Sequence, residues 1–188
     1  MKVGEGKNFK RVIATSVPST IKITVKNDEP NMIDVVHTFK PENRNMVDYF
    51  MKVSSTVQSD TLYHDSNGFL VSKRALSSKP DYEFKMKKED IINGNTYPVC
   101  SFAYLIDGDK KFLFFTDRAQ GVASFEKDLL INFDRLAMDD GKGVGEGYSK
   151  TMNNTFRYKF ALISNQDDTE RTWQRGYDEA LIGFLIKS

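Results

Sequence analysis

The sequence predicts an all-β fold, an antiparallel β-sandwich with one amphipathic helix at its C-terminal end. Three observations predict it. Apolar residues recur with period two through most of the chain, turn-forming clusters separate those runs, and helical spacing appears only over residues 168–187.

The alternating runs come in order. In STIKITVKN, residues 19–27, Ile21, Ile23 and Val25 share one face, while Lys22, Thr24 and Lys26 share the other. YFMKVSSTV, 49–57, places Tyr49, Met51 and Val53 together. VCSFAYLID, 99–107, alternates Cys100, Phe102, Tyr104 and Ile106 with Val99, Ser101, Ala103 and Leu105, which reads as one continuous strand buried on both faces. DLLINFD, 128–134, and TFRYKFALI, 155–163, continue the series, the last with Phe156, Tyr158, Phe160 and Leu162 on one face.

Turn chemistry lies between these runs, in NDEPN at 27–31, DSNG at 65–68, NGN at 93–95 and DGDKK at 107–111. DGDKK predicts a tight hairpin in which Gly108 takes a positive φ. In the C-terminal segment Trp173, Tyr177, Leu181, Phe184 and Leu185 fall at helical spacing, with Asp168 or Thr169 as N-cap and Gly176 a local weakness.

Composition sets the outer bounds. The 188 residues fit a single domain, 1–188, and 14 Phe with 8 Tyr supply ample area for a core. A formal net charge of +1 gives no electrostatic reason to expect nucleic acid or an anionic membrane as partner. Cys100 is the only cysteine, so the chain offers no intrachain disulfide and no cysteine-based zinc site. No run approaches the roughly 18 apolar residues of a membrane span, and MKVGEGKNFK lacks the apolar stretch of a secretory signal.

Several motifs invite a function. GKGVGEG, 141–147, resembles a phosphate loop in composition, but Asp139 and Asp140 precede it and a strand-like run follows, so a glycine-built turn is the better reading. GEGK, 4–7, likewise lacks the spacing of a P-loop and reads as a compact turn. Asp139 and Asp140 are adjacent and cannot easily face each other across a glycosidic bond; they suit loop structure, pairing with Arg135 or Lys142. His37, in VVHTF, reads as a partly buried, satisfied histidine, and His64 stands beside Asp65, which could orient it. Asn153 heads a glycosylation sequon, NNT, meaningful only in the secretory pathway. The residues by themselves give a β-sandwich with two structured polar loops, FTDRAQGVAS at 115–124 and DRLAMDDGKGVGEGY at 134–148, and no complete catalytic constellation.

Three ordered blocks resemble the C-terminal region of glycoside hydrolase family 38, the retaining α-mannosidases. They are LYHDSNGFLVSKR (62–74), GNTYPVCSFAYLIDGDKKFLFFTDRAQGVAS (94–124) and LLINFDRLAMDDGKGVGEG (129–147), and the likeness covers roughly residues 60–163. The resemblance implies a galactose-mutarotase-like β super-sandwich that follows a catalytic α/β domain. That domain of the same polypeptide would be the partner. It would carry the zinc ligands, the nucleophile and the acid/base, so no catalytic or metal residue is carried over to this chain. What the resemblance nominates here is substrate binding, with Arg135 reaching the sugar-site wall and Asp139 and Asp140 supporting its loop. Asp134 stands where the family has the first arginine of a pair, Ala119 and Val122 stand for Ser and Gly, and His64 stands for Thr. The implied activity is hydrolysis of α-linked mannose from N-glycans in the lysosome or Golgi lumen, with this part alone inactive. A carbohydrate-binding module, with Tyr63, Tyr82, Tyr97 and Trp173 as its aromatic platform, and a purely structural module are the alternatives.

Overall fold

A computed structural model describes residues 1–16, 19–40, 47–66, 70–75, 95–125, 128–136 and 154–166. Among these the protein is built entirely of antiparallel strands arranged as two facing sheets. The helix expected at 168–187 lies outside the described residues.

Four strands open the chain as a meander, β1 (Lys2–Gly6), β2 (Phe9–Ser16), β3 (Ser19–Lys26) and β4 (Met32–Phe39). They are followed by β5 (Val47–Val53), β6 (Thr61–His64), β7 (Ser72–Ala75), β8 (Tyr97–Val99), β9 (Phe102–Asp107) and β10 (Lys110–Thr116). Last come β11 (Gln120–Phe125), β12 (Asp128–Leu136) and β13 (Asn154–Ser164). The large sheet runs β1-β2-β3-β4-β13-β10-β9-β6-β7, and the small sheet runs β5-β12-β11-β8.

The period-two pattern becomes the core where the sheets face each other. Val35 and Phe39 of β4, Phe156, Tyr158 and Phe160 of β13, Phe112 and Phe114 of β10, and Ala103 and Leu105 of β9 project from the large sheet. Val122 of β11, Leu129 and Ile131 of β12, and Tyr49, Met51 and Val53 of β5 meet them from the small sheet. Phe39 lies 4.6 Å from Tyr49 and 5.0 Å from Phe133, centroid to centroid, so β5 and β12 sit over β4 and β13. A second cluster, Phe102, Leu113, Phe115 and Ala161, occupies the opposite face of β9, β10 and β13.

The DGDKK hairpin forms as expected, with Gly108 at φ 58° between β9 and β10. VCSFAYLID is not one strand. It breaks at Cys100 and Ser101, because β8 belongs to the small sheet and β9 to the large one. Gly4 and Gly6 lie in β1 rather than in a turn, and the bend follows at Lys7 and Asn8.

Candidate functional site

One end of the sandwich collects the segments that the sequence singled out. The register places the end of β4 (Phe39) beside the start of β13 (Asn154), and the end of β10 (Thr116) beside Tyr158. On the small sheet Val99 faces Gln120, and Leu136 faces Val47. Thus the corners at 100–101 and 117–119, the exit of β12 and the entry of β13 all gather at this end.

Two of these corners carry the chain from one sheet to the other, and buried polar side chains hold each of them. Asp65, 2% exposed, follows β6 and accepts backbone N–H bonds from Ser101 and Phe102, both 3.0 Å, on Oδ1. The Ser101 hydroxyl donates to its Oδ2. The Asp65 backbone donates to Phe102 O at 3.2 Å and accepts from Cys100 N at 3.1 Å. A carboxylate satisfied in this way replaces the ladder bonds that the break between β8 and β9 removes.

The second corner is FTDRAQGVAS. Its expected loop reduces to the turn Asp117–Ala119, because β10 runs to Thr116 and β11 begins at Gln120. Arg118 grips Asp117 through Nε at 3.1 Å and Nη2 at 3.2 Å, and Nη2 also donates to Thr155 O at 2.8 Å. The Arg157 guanidinium lies 3.8 Å from the same carboxylate. Arg118 packs 4.9 Å over the Phe156 ring, and Tyr158 donates to Gln120 Oε1 at 3.2 Å. Burial pushes the Tyr158 phenol well above its ordinary pKa, so it stays a donor. Thr116 N donates to Ser101 O at 3.0 Å, which joins the two corners directly.

Arg135 lies in β12 opposite Asp48, two residues beyond a bulge at Phe133 that shifts the β12–β5 register. Asp134 consequently stands opposite Tyr49, with one carboxylate oxygen buried. Asp139, Asp140 and Asn153 lie outside the described residues, as do Lys142 and the rest of GKGVGEG. Arg135 thus lies near the exit of β12, at the end of the sandwich where the two corners gather, and its proposed partners lie outside the described residues.

The two histidines are structural in their surroundings. His37, 1% exposed, shares a 3.1 Å hydrogen bond between Nε2 and Ser19 Oγ and lies edge-on to Phe133 at 4.6 Å; its Nδ1 has no partner. His64 bonds Pro98 O through Nδ1 at 2.9 Å, so the neighbouring Asp65 does not orient it as the sequence suggested. Burial lowers the pKa of both imidazoles, and Arg74 adds to that effect at His64. Among the described residues no three His, Cys, Asp or Glu side chains gather, so the set does not fit a zinc site.

Two of the residues named for an aromatic platform lie among the described residues. Tyr63 stacks on Tyr104 at 4.9 Å under Lys73, and Tyr97 stacks on His64 under Arg74. Tyr82 and Trp173 lie outside the described residues. A groove of about 300 Å³ crosses the outer face of β2, β3, β4 and β13, lined by Arg11, Lys22, Lys26, Asp34 and Arg157. Its charges are largely engaged, Lys26 with Glu29 at 3.0 Å and Asp34 with Lys159 at 3.5 Å.

The comparisons agree with this architecture. No family model matches the chain. Alpha-mannosidase 2 of Spodoptera frugiperda is 31% identical over 143 residues, covering 73% of this chain and 12% of that protein. Lysosomal alpha-mannosidase of Felis catus is 38% identical over 87 residues, 45% of this chain and 8% of that protein. Among solved structures, an alpha-mannosidase and a family 38 glycosyl hydrolase, both from Enterococcus faecalis, superpose over 85% of this chain and 17% of theirs, with TM-scores of 0.61 and 0.60 at 17% identity. The chain is related to one segment of glycoside hydrolase family 38. It spans only about a tenth of the curated relatives it matches, 8% and 12% in the two cases above. In this family 38 segment the first two motif blocks supply, besides strands, the corner residues Asp65, Cys100–Ser101 and Asp117–Ala119, a role that sequence reasoning missed. Asp65 was visible as a turn former and as a neighbour that could orient His64, and its partners, 36 and 37 residues away, had no local signal.

Proposed function

We propose that the chain is the C-terminal β-domain of a zinc-dependent, retaining α-mannosidase acting on N-glycan mannose. It braces the catalytic α/β domain and lends the loop beginning at Arg135 to the wall of the sugar site. The observation that carries this reading is the convergence of the Asp65, Thr116–Arg118 and Arg135 segments on one end of the sandwich. Rigid corners there give a projecting loop a fixed base, and an arginine fork suits sugar hydroxyls. Zinc, nucleophile and acid/base belong to the remainder of the polypeptide, so the 188 residues alone are inactive.

The test is intact mass of the native polypeptide together with hydrolysis of an aryl α-mannoside. The reading expects a product several times 21.5 kDa, no turnover by the 188 residues alone, and a loss of about 10- to 100-fold in kcat/KM for Arg135→Ala in the long polypeptide. Zinc-dependent turnover by the 188 residues, or an Arg135→Ala enzyme of full activity, would overturn it.

A further inference from the structure

The chain has two histidines, and both are buried in the seam between the sheets, each at 1% exposure. They stand on opposite sides of the main core. His37 projects from β4 against Phe133 of β12, with 4.6 Å between ring centroids. His64 projects from β6 and bonds Pro98 O of β8, at the far end of the small sheet's strand order. Between them the large sheet runs β4-β13-β10-β9-β6, and the inward residues of those strands form the main core. The small sheet is thus seated on an imidazole at each side of that core.

Each ring suits its surroundings only while neutral. His64 Nδ1 donates to a carbonyl oxygen, which leaves Nε2 as a bare acceptor, buried and without a partner. His37 shares Nε2 with Ser19 Oγ, and its Nδ1 is the buried atom without a partner. A proton added to either ring creates a charged N–H with no acceptor. Nor is a counter-charge in place. Ile21 of β3 and Phe156 of β13 flank His37 in register, and burial alone acts on it, so Asp134, next to Phe133 in β12, supplies none. Ser72 of β7 and Ala103 of β9 flank His64. There burial outweighs the Pro98 carbonyl, and Arg74 of β7 adds to it. Asp65 offsets least, because its carboxylate already accepts from Ser101 and Phe102.

We propose that His37 and His64 form an acid-sensitive clamp: as neutral imidazoles they hold the small sheet on the large one, and their protonation in mildly acidic solution lets the sandwich open at this seam. Arg135 belongs to β12 of the small sheet, so opening withdraws it from the sugar-site wall. The long enzyme then works near neutral pH and loses turnover in acid, a consequence that rests on the mannosidase reading. The clamp itself does not depend on that reading.

Amide-resolved hydrogen exchange on the native polypeptide tests this between about pH 7 and 5.5, corrected for intrinsic exchange, with the amides of β11 and β12 as reporters. Below the ordinary imidazole pKa of 6.5 the open state binds up to two more protons than the closed one. The opening constant should therefore rise on the order of 100-fold per pH unit there. His37→Phe or His64→Thr should each cut the rise to about tenfold, and the double variant should abolish it. A rise no steeper than about tenfold per unit in the unsubstituted polypeptide overturns the clamp, whether or not the variants fold. An undiminished rise in the double variant overturns it too. Turnover of an aryl α-mannoside separates the two readings. A sandwich that opens while turnover stays constant overturns the role of Arg135 and leaves the clamp standing. A flat exchange profile overturns the clamp and leaves the mannosidase reading standing.

Discussion

The large sheet has two halves with the same alternating pattern and opposite fates. In β13, β10 and β9 the inward positions are Tyr158, Phe114 and Leu105, at 2% exposure or less. In β1, β2 and β3 the inward positions are Val3, Val12 and Ile23, of which Val3 and Ile23 are exposed. Alternation shows which face of a strand is apolar, but whether another layer covers that face depends on partners far away in sequence or outside it.

The comparison can be broken most sharply at its covered end. Phe114→Ala should cost about 4 kcal/mol in urea denaturation, because the cavity would lie between packed rings of Tyr158 and Phe160. Removing the corner carboxylate comes next. Asp65→Ala leaves two backbone N–H groups and a hydroxyl without their acceptor and should cost about 3 kcal/mol by the same measurement. A loss below about 1 kcal/mol for either would mean that the covered half is not the rigid part.

His37 probes the margin between the halves. Its folded pKa lies below its unfolded value of 6.5, so the unfolded chain takes up the proton first as pH falls. Stability should therefore be full above that value and decline as pH drops through it toward the folded pKa. Thermal midpoints measured between about pH 7.5 and 5 should show this decline, and His37→Phe should make it shallower, the remainder falling to His64; an equal slope in the variant would assign the effect elsewhere. The smallest effect belongs to the uncovered half. Ile23→Ala in the 188 residues should change urea stability by no more than about 0.5 kcal/mol, the expectation for a surface position. A cost near that of Phe114→Ala would show that the row is already covered.

These contrasts mark what was legible beforehand. Strand identity, the Gly108 hairpin and the facing aromatic rows were readable, because they follow from spacing within a few residues. The break at Cys100–Ser101 was not, since it is imposed by Asp65 from another strand. Nor was the burial of Gln120 or the anchoring of Asp117 and Arg118 against β13, since the composition of FTDRAQGVAS would assign all three to an unengaged loop. The bulge at Phe133, just before Arg135, is a one-residue slip that no periodicity announces.

The position of β13 has a consequence for how the protein is made. Though last among the described strands, it sits in the middle of the large sheet, between β4 and β10, and pairs Thr38 with Thr155, 117 residues apart. The N-terminal meander can zip up by itself, but it cannot join the β9–β10 hairpin until residue 164 has left the ribosome. Such long-range closure is slow. Until it happens, β4 and β10 each expose an open edge and an aromatic face, so the half-made chain is at its most aggregation-prone just before its final described strand arrives.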